Sequence, residues 1–361
     1  MKIYMIAGEP SGDYLGSKII KQLKIISLGQ AEISCVGGDL MKNAGLTSYV
    51  DIAKLSVGGI FEIIPHIFEI KKIIRDVAEN ILETKPDIVL TIDSPGFCFR
   101  VAELVRQKDK NIRLMHLVAP SVWAWREKRA KKIAKLYDHL LTLFPFEPPY
   151  FTKYGLKTTY VGHPAVEDYV CTKKYDEKQN ILLILPGSRR QEIEKLLPTF
   201  LQTLKYLNFD RVAIPTLPNL YKFVQKISQG YNVEIVTDEE IKVNLYKSAK
   251  CAIVASGTAT LQLALSGCPM VVCYKVSNLT YHIVKFLIKI KYISLVNIIL
   301  NKQTVPELIQ TNCIPPKIAE KINELELSQQ TNDFKNLIKI LSYNSKTPTN
   351  KIIDAIYEQL T

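Results

Sequence analysis

The stretch that most restricts what this chain can fold into is residues 181–194, which read I-L-L-I-L-P-G-S-R-R-Q-E-I-E. Five consecutive apolar residues offer no polar face, so 181–185 reads as a buried strand. Pro186 and Gly187 stop it, and from Gln191 onward the spacing is helical. A strand that breaks at Gly187–Ser188 and opens a helix leaves unpaired backbone N–H groups pointing at one spot, with the helix dipole behind them. Arg189 and Arg190 follow at once, in a chain where arginine supplies only nine of the 47 basic residues. A planar, bidentate guanidinium at such a turn suits a phosphate or diphosphate. The plainer reading of the same residues is a turn capped by Ser188 with both arginines solvated.

The unit recurs along the chain. An apolar run at 2–7 meets Gly8-Glu9-Pro10-Ser11-Gly12-Asp13, and a helix follows with Leu15, Ile19, Leu23 and Ile26 on one face. Residues 32–36 form a second strand, and 67–81 a helix with Ile67, Ile70, Ile74, Val77 and Ile81 in one stripe. Strand 88–92 delivers Asp93 to its C-terminal end, where α/β sheets collect their active sites. Capping of the helix after Gly96 is the alternative use of Asp93. Strands at 113–118 and 139–144 complete the first half, which ends near Gly162-His163-Pro164, with His163 read as a backbone-capping residue. A polar stretch at 171–180 reads as a linker. Strands at 181–185, 211–214, 232–236, 251–255 and 270–273 then alternate with helices, and Ser256-Gly257-Thr258 opens a second glycine turn. Alternation in both halves predicts an α/β protein of two doubly wound Rossmann-like domains facing across a cleft. The expected boundaries are 1–170, 171–340 and a terminal helix at 341–361 that packs back across the domain junction.

With 361 residues, two domains are the natural division. The net charge of +12 points to an anionic partner, unless it is spread evenly as a lysine-rich compositional bias. Six cations fall between Arg126 and Lys135, beside Trp123 and Trp125, and these suit either a solvated face or anionic headgroups. Residues 281–300 are the greasiest stretch and fit a core helix or an interfacial one, while Lys285, Lys289 and Lys291 forbid a simple span. The seven cysteines form no C-x-x-C pair and read as buried thiols in a reducing compartment. The five histidines lack metal-ligand spacing, so no metal site is expected, and no dinucleotide or P-loop glycine motif occurs. No secretory leader is expected either.

Nine motifs lie in order along the chain: GEPSGD (8–13), VGGDLMKNAG (36–45), IDSPGF (92–97), APSVWAWREKR (119–129), VGHP (161–164), LPGSRRQEI (185–193), ASGTATLQ (255–262), CPMVVCY (268–274) and KYISLVN (291–297). Together they resemble the lipid-A-disaccharide synthase family. The resemblance implies a GT-B type, inverting, metal-independent glycosyltransferase with no cofactor. Its substrates would be UDP-2,3-diacylglucosamine and 2,3-diacylglucosamine 1-phosphate (lipid X), giving a β(1→6) disaccharide and UDP.

On that reading Asp93 is the general base, and Arg189 with the Gly187 and Ser188 N–H groups stabilises the departing UDP. Ser256, Gly257, Thr258, Gln262 and Asn297 would complete the nucleotide pocket, and Gly8, Glu9, Ser11, Gly12 and Asp13 would border the donor from the other domain. Two residues depart from the family pattern. Gln262 stands where the family usually has a ribose-binding glutamate, and Val296 replaces a proline in the turn that aims Asn297. Acylated substrates imply a cytoplasmic enzyme, peripheral on the anionic cytosolic face of the inner membrane. Residues 57–74, 123–135 and 281–300 are the expected contacts. Nucleic acid is not an expected partner, and a homodimer is left open. The competing readings are another UDP-sugar transferase or epimerase of this fold, and a non-catalytic basic membrane-binding protein.

Overall fold

The computed structural model describes residues 1–52, 67–123, 127–171, 178–275, 291–342 and 346–360. The apolar segment at 57–64, Trp125 and Arg126, most of the 171–180 linker and residues 281–290 lie outside the described residues.

The chain divides into two units, Met1–Pro164 with Ser342–Thr361, and Ala165–Leu341. Unit 1 is built on a seven-stranded sheet: β1 (Lys2–Ala7), β2 (Glu32–Gly37), β3 (Ser48–Asp51), β4 (Ile88–Ile92), β5 (Arg113–Leu117), β6 (His139–Thr142) and β7 (Lys157–Tyr160). The order is β3-β2-β1-β4-β5-β6-β7, and every pairing is parallel. Alternate residues of each strand feed opposite faces. Tyr4, Ile6, Val89 and Leu114 pack against Ile74, Val77 and Ile81 of the Ile67–Thr84 helix and Val101 and Val105 of the Pro95–Lys108 helix. Ile3, Met5, Leu90 and Met115 pack on the other face against Leu15, Ile19, Ile20 and Leu23 of the Pro10–Ile26 helix. Ile26 does not join that stripe; it ends the helix and is 46% exposed, and Ile20 is buried with the stripe. The chain returns to this face at its end, where Ile352, Ile353 and Ile356 of the Pro348–Glu358 helix enter the same cluster.

Unit 2 repeats the plan with β8 (Gln179–Leu185), β9 (Arg211–Pro215), β10 (Glu234–Val236), β11 (Ala249–Ala255), β12 (Met270–Tyr274) and β13 (Glu307–Ile309). The order is β10-β9-β8-β11-β12-β13, again all parallel. The Arg190–Thr203 helix buries Ile193, Leu196, Leu197 and Phe200 against it. Both units are Rossmann-like, the fold class expected from the sequence. In each the first strand stands at the centre, flanked by its second and fourth, so the direction of winding reverses there. These switch points lie between β1 and β4, and between β8 and β11.

All seven cysteines are free thiols, and all but Cys171 are buried. Among the described residues no helix is long and apolar enough to cross a membrane, and no cluster of His, Cys, Asp or Glu has the makings of a metal site.

Candidate active site

In unit 1 the polar residues gather where β1 and β4 part. Ala7 pairs with Ile92, the last residue of β4, and Asp93 and Ser94 follow with φ of 53° and 43°. Aspartate tolerates left-handed backbone, whereas serine does so less readily, at a cost of order 1–3 kcal/mol for a strained residue. The turn is held by its own backbone: Asp93 N–H donates to Leu117 O at 2.9 Å, and Cys98 N–H to Ser94 O at 2.9 Å. It carries the Asp93 carboxylate to the rim, where Oδ2 accepts a 2.6 Å hydrogen bond from Ser11 Oγ. Ser94, and not Asp93, is the N-cap of the Pro95–Lys108 helix.

The glycines of the first turn set this approach. A Cβ on Gly8 would lie 2.6 Å from Ser94 Oγ, and one on Gly12 would lie 2.9 Å from Ile92 O. Real Cβ atoms do not come that close, so a side chain at Gly12 would force the Pro10–Ile26 helix away from the Ile92 carbonyl, and one at Gly8 would force the Ser94 side chain to move. Glu9 is the exposed N-cap of that helix. Asp13 sits apart from Ser11 in function: it is 4% exposed, and its carboxylate accepts from Gly38, Leu40 and Met41 N–H at 2.7, 3.0 and 3.0 Å. It fastens the start of the Asp39–Asn43 helix.

In unit 2 the turn after β8 is folded over its own anion. Gly187 has φ of 113°, and a Cβ there would collide with Glu192 Oε2. That oxygen accepts from Ser188 N–H at 3.1 Å and Arg189 N–H at 3.3 Å, while Oε1 lies 3.6 Å from an Arg189 guanidinium nitrogen. The N–H pair that the sequence reserves for a phosphate therefore holds an internal carboxylate. Arg189, not Ser188, is the N-cap, and because a guanidinium only donates, the cap is supplied by Glu192 alone. The Arg189 side chain is 81% exposed. Arg190 turns away and lies over the Phe223 ring at 5.1 Å.

Across the switch point, Ser256 follows β11 and its Oγ donates to Ile293 O at 2.8 Å. Gly257 faces open space, and Thr258 begins the Thr258–Leu265 helix with Gln262 half-buried one turn on. Asn297 is fully buried: its amide donates to Val305 O and Glu307 Oε1 at 2.8 Å each, and its oxygen accepts from Thr304 and Val305 N–H at 2.8 and 2.9 Å. All four capacities are used on the chain itself, so Asn297 holds a loop. Glu307 closes the same network by accepting from Ile293 and Ser294 N–H. Thus Ser256, Ile293, Glu307 and Asn297 form one scaffold behind the glycine turn.

Two residues of this site escaped sequence reasoning. Glu192 carries a readable signal, a carboxylate three residues after the N-cap. Tyr274, at the end of β12, carries none; its hydroxyl pKa is raised by burial and then by Glu192, with Arg189 opposing, which puts it in the same field.

In each unit these site residues lie at the carboxyl ends of strands at a switch point, where open α/β sheets bind their ligands. The model of the lipid-A-disaccharide synthetase family matches residues 3–353. The lipid-A-disaccharide synthase of Rickettsia bellii is 42% identical over 351 residues, covering 92% of this chain and 90% of the relative. That of Rhodospirillum centenum is 36% identical over 379 residues, covering 99% and 94%. The chain belongs to the lipid-A-disaccharide synthase family. Its fold is also similar to that of the UDP-GlcNAc 2-epimerase from Neisseria meningitidis bound to UDP-GlcNAc, with a TM-score of 0.67 at 15% identity, covering 99% of this chain and 100% of that one. In this synthase-family chain the Ser11–Asp93 pair and the Arg189–Glu192 turn are the parts the structure assembles, while Asp13 and Asn297 are drawn into the scaffold.

Proposed function

We propose that the chain catalyses inverting transfer of 2,3-diacylglucosamine from UDP-2,3-diacylglucosamine to the 6-hydroxyl of 2,3-diacylglucosamine 1-phosphate, releasing UDP. The observation that carries the reading is the Asp93 carboxylate, raised on a left-handed turn at the unit 1 switch point with one oxygen bonded to Ser11. A carboxylate keeps acceptor capacity beyond that bond, enough to take the proton of an attacking hydroxyl. As the acceptor O6–C1 bond forms, the C1–O bond to the diphosphate breaks, the proton passes to Asp93, and UDP leaves as an anion. Ser11 orients the carboxylate, and Gly8 and Gly12 let the two approach.

Unit 2 is the UDP side. The Gly187–Ser188–Arg189 turn stabilises the leaving diphosphate, with Glu192 displaced from the N–H pair as it binds. Ser256, Gly257 and Thr258 frame the nucleotide, and Gln262 offers the ribose a neutral hydrogen bond in place of a charged one. Glu9 borders the substrate, and Asp13 and Asn297 support the turns that touch it. The reaction proceeds without metal or cofactor.

The enzyme works on the cytosolic face of the inner membrane. Support comes from the net charge of +12 and from Phe68, 80% exposed on the Ile67–Thr84 helix, which follows the apolar 57–64 stretch in sequence. UDP release from the acylated donor, measured with and without lipid X and with EDTA, tests the reading. Release that requires lipid X and survives EDTA supports it. Release without any acceptor marks a hydrolase or an epimerase side reaction, and loss with EDTA overturns the metal-free chemistry.

A further inference from the structure

Unit 1 holds a second cationic feature that the transfer chemistry above does not use. A cavity of about 190 Å³ opens between the Pro95–Lys108 and Arg129–Ala134 helices. Phe99 and Ile133 give it an apolar floor, and Arg100, Glu103, Arg129 and Lys132 give it a charged wall. Glu103 is answered by Lys132 at 2.6 Å. The Arg129 guanidinium lies 5.3 Å over the Phe99 ring, which fixes its plane against the floor. The lining thus carries three cations and one carboxylate. A phosphate monoester carries about −1.5 to −2 at neutral pH and presents oxygens that planar guanidinium forks match.

Pro95 and Gly96, which also line the cavity, follow Asp93 by two and three residues. Two trans steps of chain span at most about 7.6 Å. A hexopyranose carries its C1 and C6 substituents at opposite ends of one ring. A base that takes the proton of a 6-hydroxyl and a cationic cavity lined by the residues that follow it in the chain therefore suit the same sugar, provided its C1 bears an anion. We propose that the Arg100–Arg129–Lys132 cavity binds the anomeric phosphate of the acceptor sugar. The proposal rests on the transferase reading and assigns the pocket by which a phosphorylated acceptor is told from an unphosphorylated one. The cavity takes the phosphate and the adjoining ring edge; it is too small for acyl chains.

The test compares wild type with Arg100→Gln and Arg129→Gln, Arg100 being exposed and removable without repacking. Transfer is measured with lipid X and with the same acceptor lacking its 1-phosphate. Each substitution is expected to lower the preference for the phosphorylated acceptor by at least about tenfold, as loss of a charge-assisted hydrogen bond does. The donor KM and the rate with the unphosphorylated acceptor stay within about twofold, since neither involves the phosphate. An unchanged preference overturns the assignment. So does loss of binding to phosphatidylglycerol vesicles with acceptor preference intact, which would assign the cations to membrane headgroups. Calorimetric titration with glucosamine 1-phosphate decides the pocket independently of turnover: if wild type transfers nothing, the transferase reading fails. The cavity stands if this probe still binds wild type and binds the variants at least tenfold more weakly, and falls if it binds all three alike.

Discussion

Glu192 is the residue whose placement most changes how this chain is read. Its side chain fills the anion site of the Gly187 turn, accepting from Ser188 and Arg189 N–H. The same contacts cap the Arg190–Thr203 helix, so the carboxylate stabilises the turn and would compete with a phosphate bound there. Glu192→Gln keeps one acceptor and removes the charge. UDP affinity, measured by titration calorimetry, is expected to tighten a few-fold, roughly what 0.5–1 kcal/mol gives, with a small fall in Tm. Weaker UDP binding would show that Glu192 aligns Arg189 and does not compete. Buried titrating residues in unit 1 set its pH range. Burial holds His116, His139 and His163 down to about 3, 4 and 4, and pushes Glu147 up to about 8, against the pull of the Phe144 N–H. The histidines bind protons in the unfolded chain before the folded one, so stability falls as pH drops below about 6.5. Glu147 stays protonated in the folded state while the unfolded chain ionises, so stability also falls as pH rises from about 4.5 to 8. Below about pH 6.5 the three histidines outweigh Glu147 and above it only Glu147 still titrates, so thermal melts are expected to peak near there, and Glu147→Gln is expected to flatten the alkaline limb. Much of this was legible in sequence only in outline. Asp93 and Arg189 announce themselves by following apolar strands, but Asp13 and Asn297 are scaffold because of partners 25 to 28 and seven to ten residues away, which no local pattern reveals.

At the scale of elements, the strands buried on both faces were readable and the edges were not. β1, β4, β8 and β11 are largely apolar runs because they are buried on both faces. β3, β7 and β13 lie at sheet edges, are only partly buried, and carry sequences such as K-T-T-Y with no apolar run. The Pro348–Glu358 helix illustrates the reverse case: its helical period is plain, but its destination is set by packing. Ile352 and Ile356 are fully buried in the unit 1 cluster with Leu23 and Met5. Truncating both to alanine should cost about 2–5 kcal/mol each, less whatever the site recovers by collapse. Unit 1 is then expected to melt earlier while unit 2 keeps its transition, as followed by hydrogen exchange of β5 and β11 amides. Equal loss of protection in both would mean that the two units unfold as one.

At the scale of the whole molecule, the same six-strand winding appears twice, and in both copies the candidate site residues sit where the winding reverses. The alternation of apolar runs with helical periods was enough to foresee two Rossmann-like domains. The expectation of a terminal helix that packs back names no docking face; in the structure Ile352, Ile353 and Ile356 join the cluster of Ile19, Ile20 and Leu23 on the Pro10–Ile26 helix. Nor could the sequence distinguish turns that bind from turns that brace. The central claim is that Asp93 removes the acceptor proton, and Asp93→Asn tests it with the backbone preserved, since asparagine also accepts left-handed φ. UDP release from acylated UDP-glucosamine in the presence of lipid X should fall by at least about 100-fold in this variant, the usual scale of a general base, with UDP affinity unchanged. Full release by the Asp93→Asn protein would contradict the account.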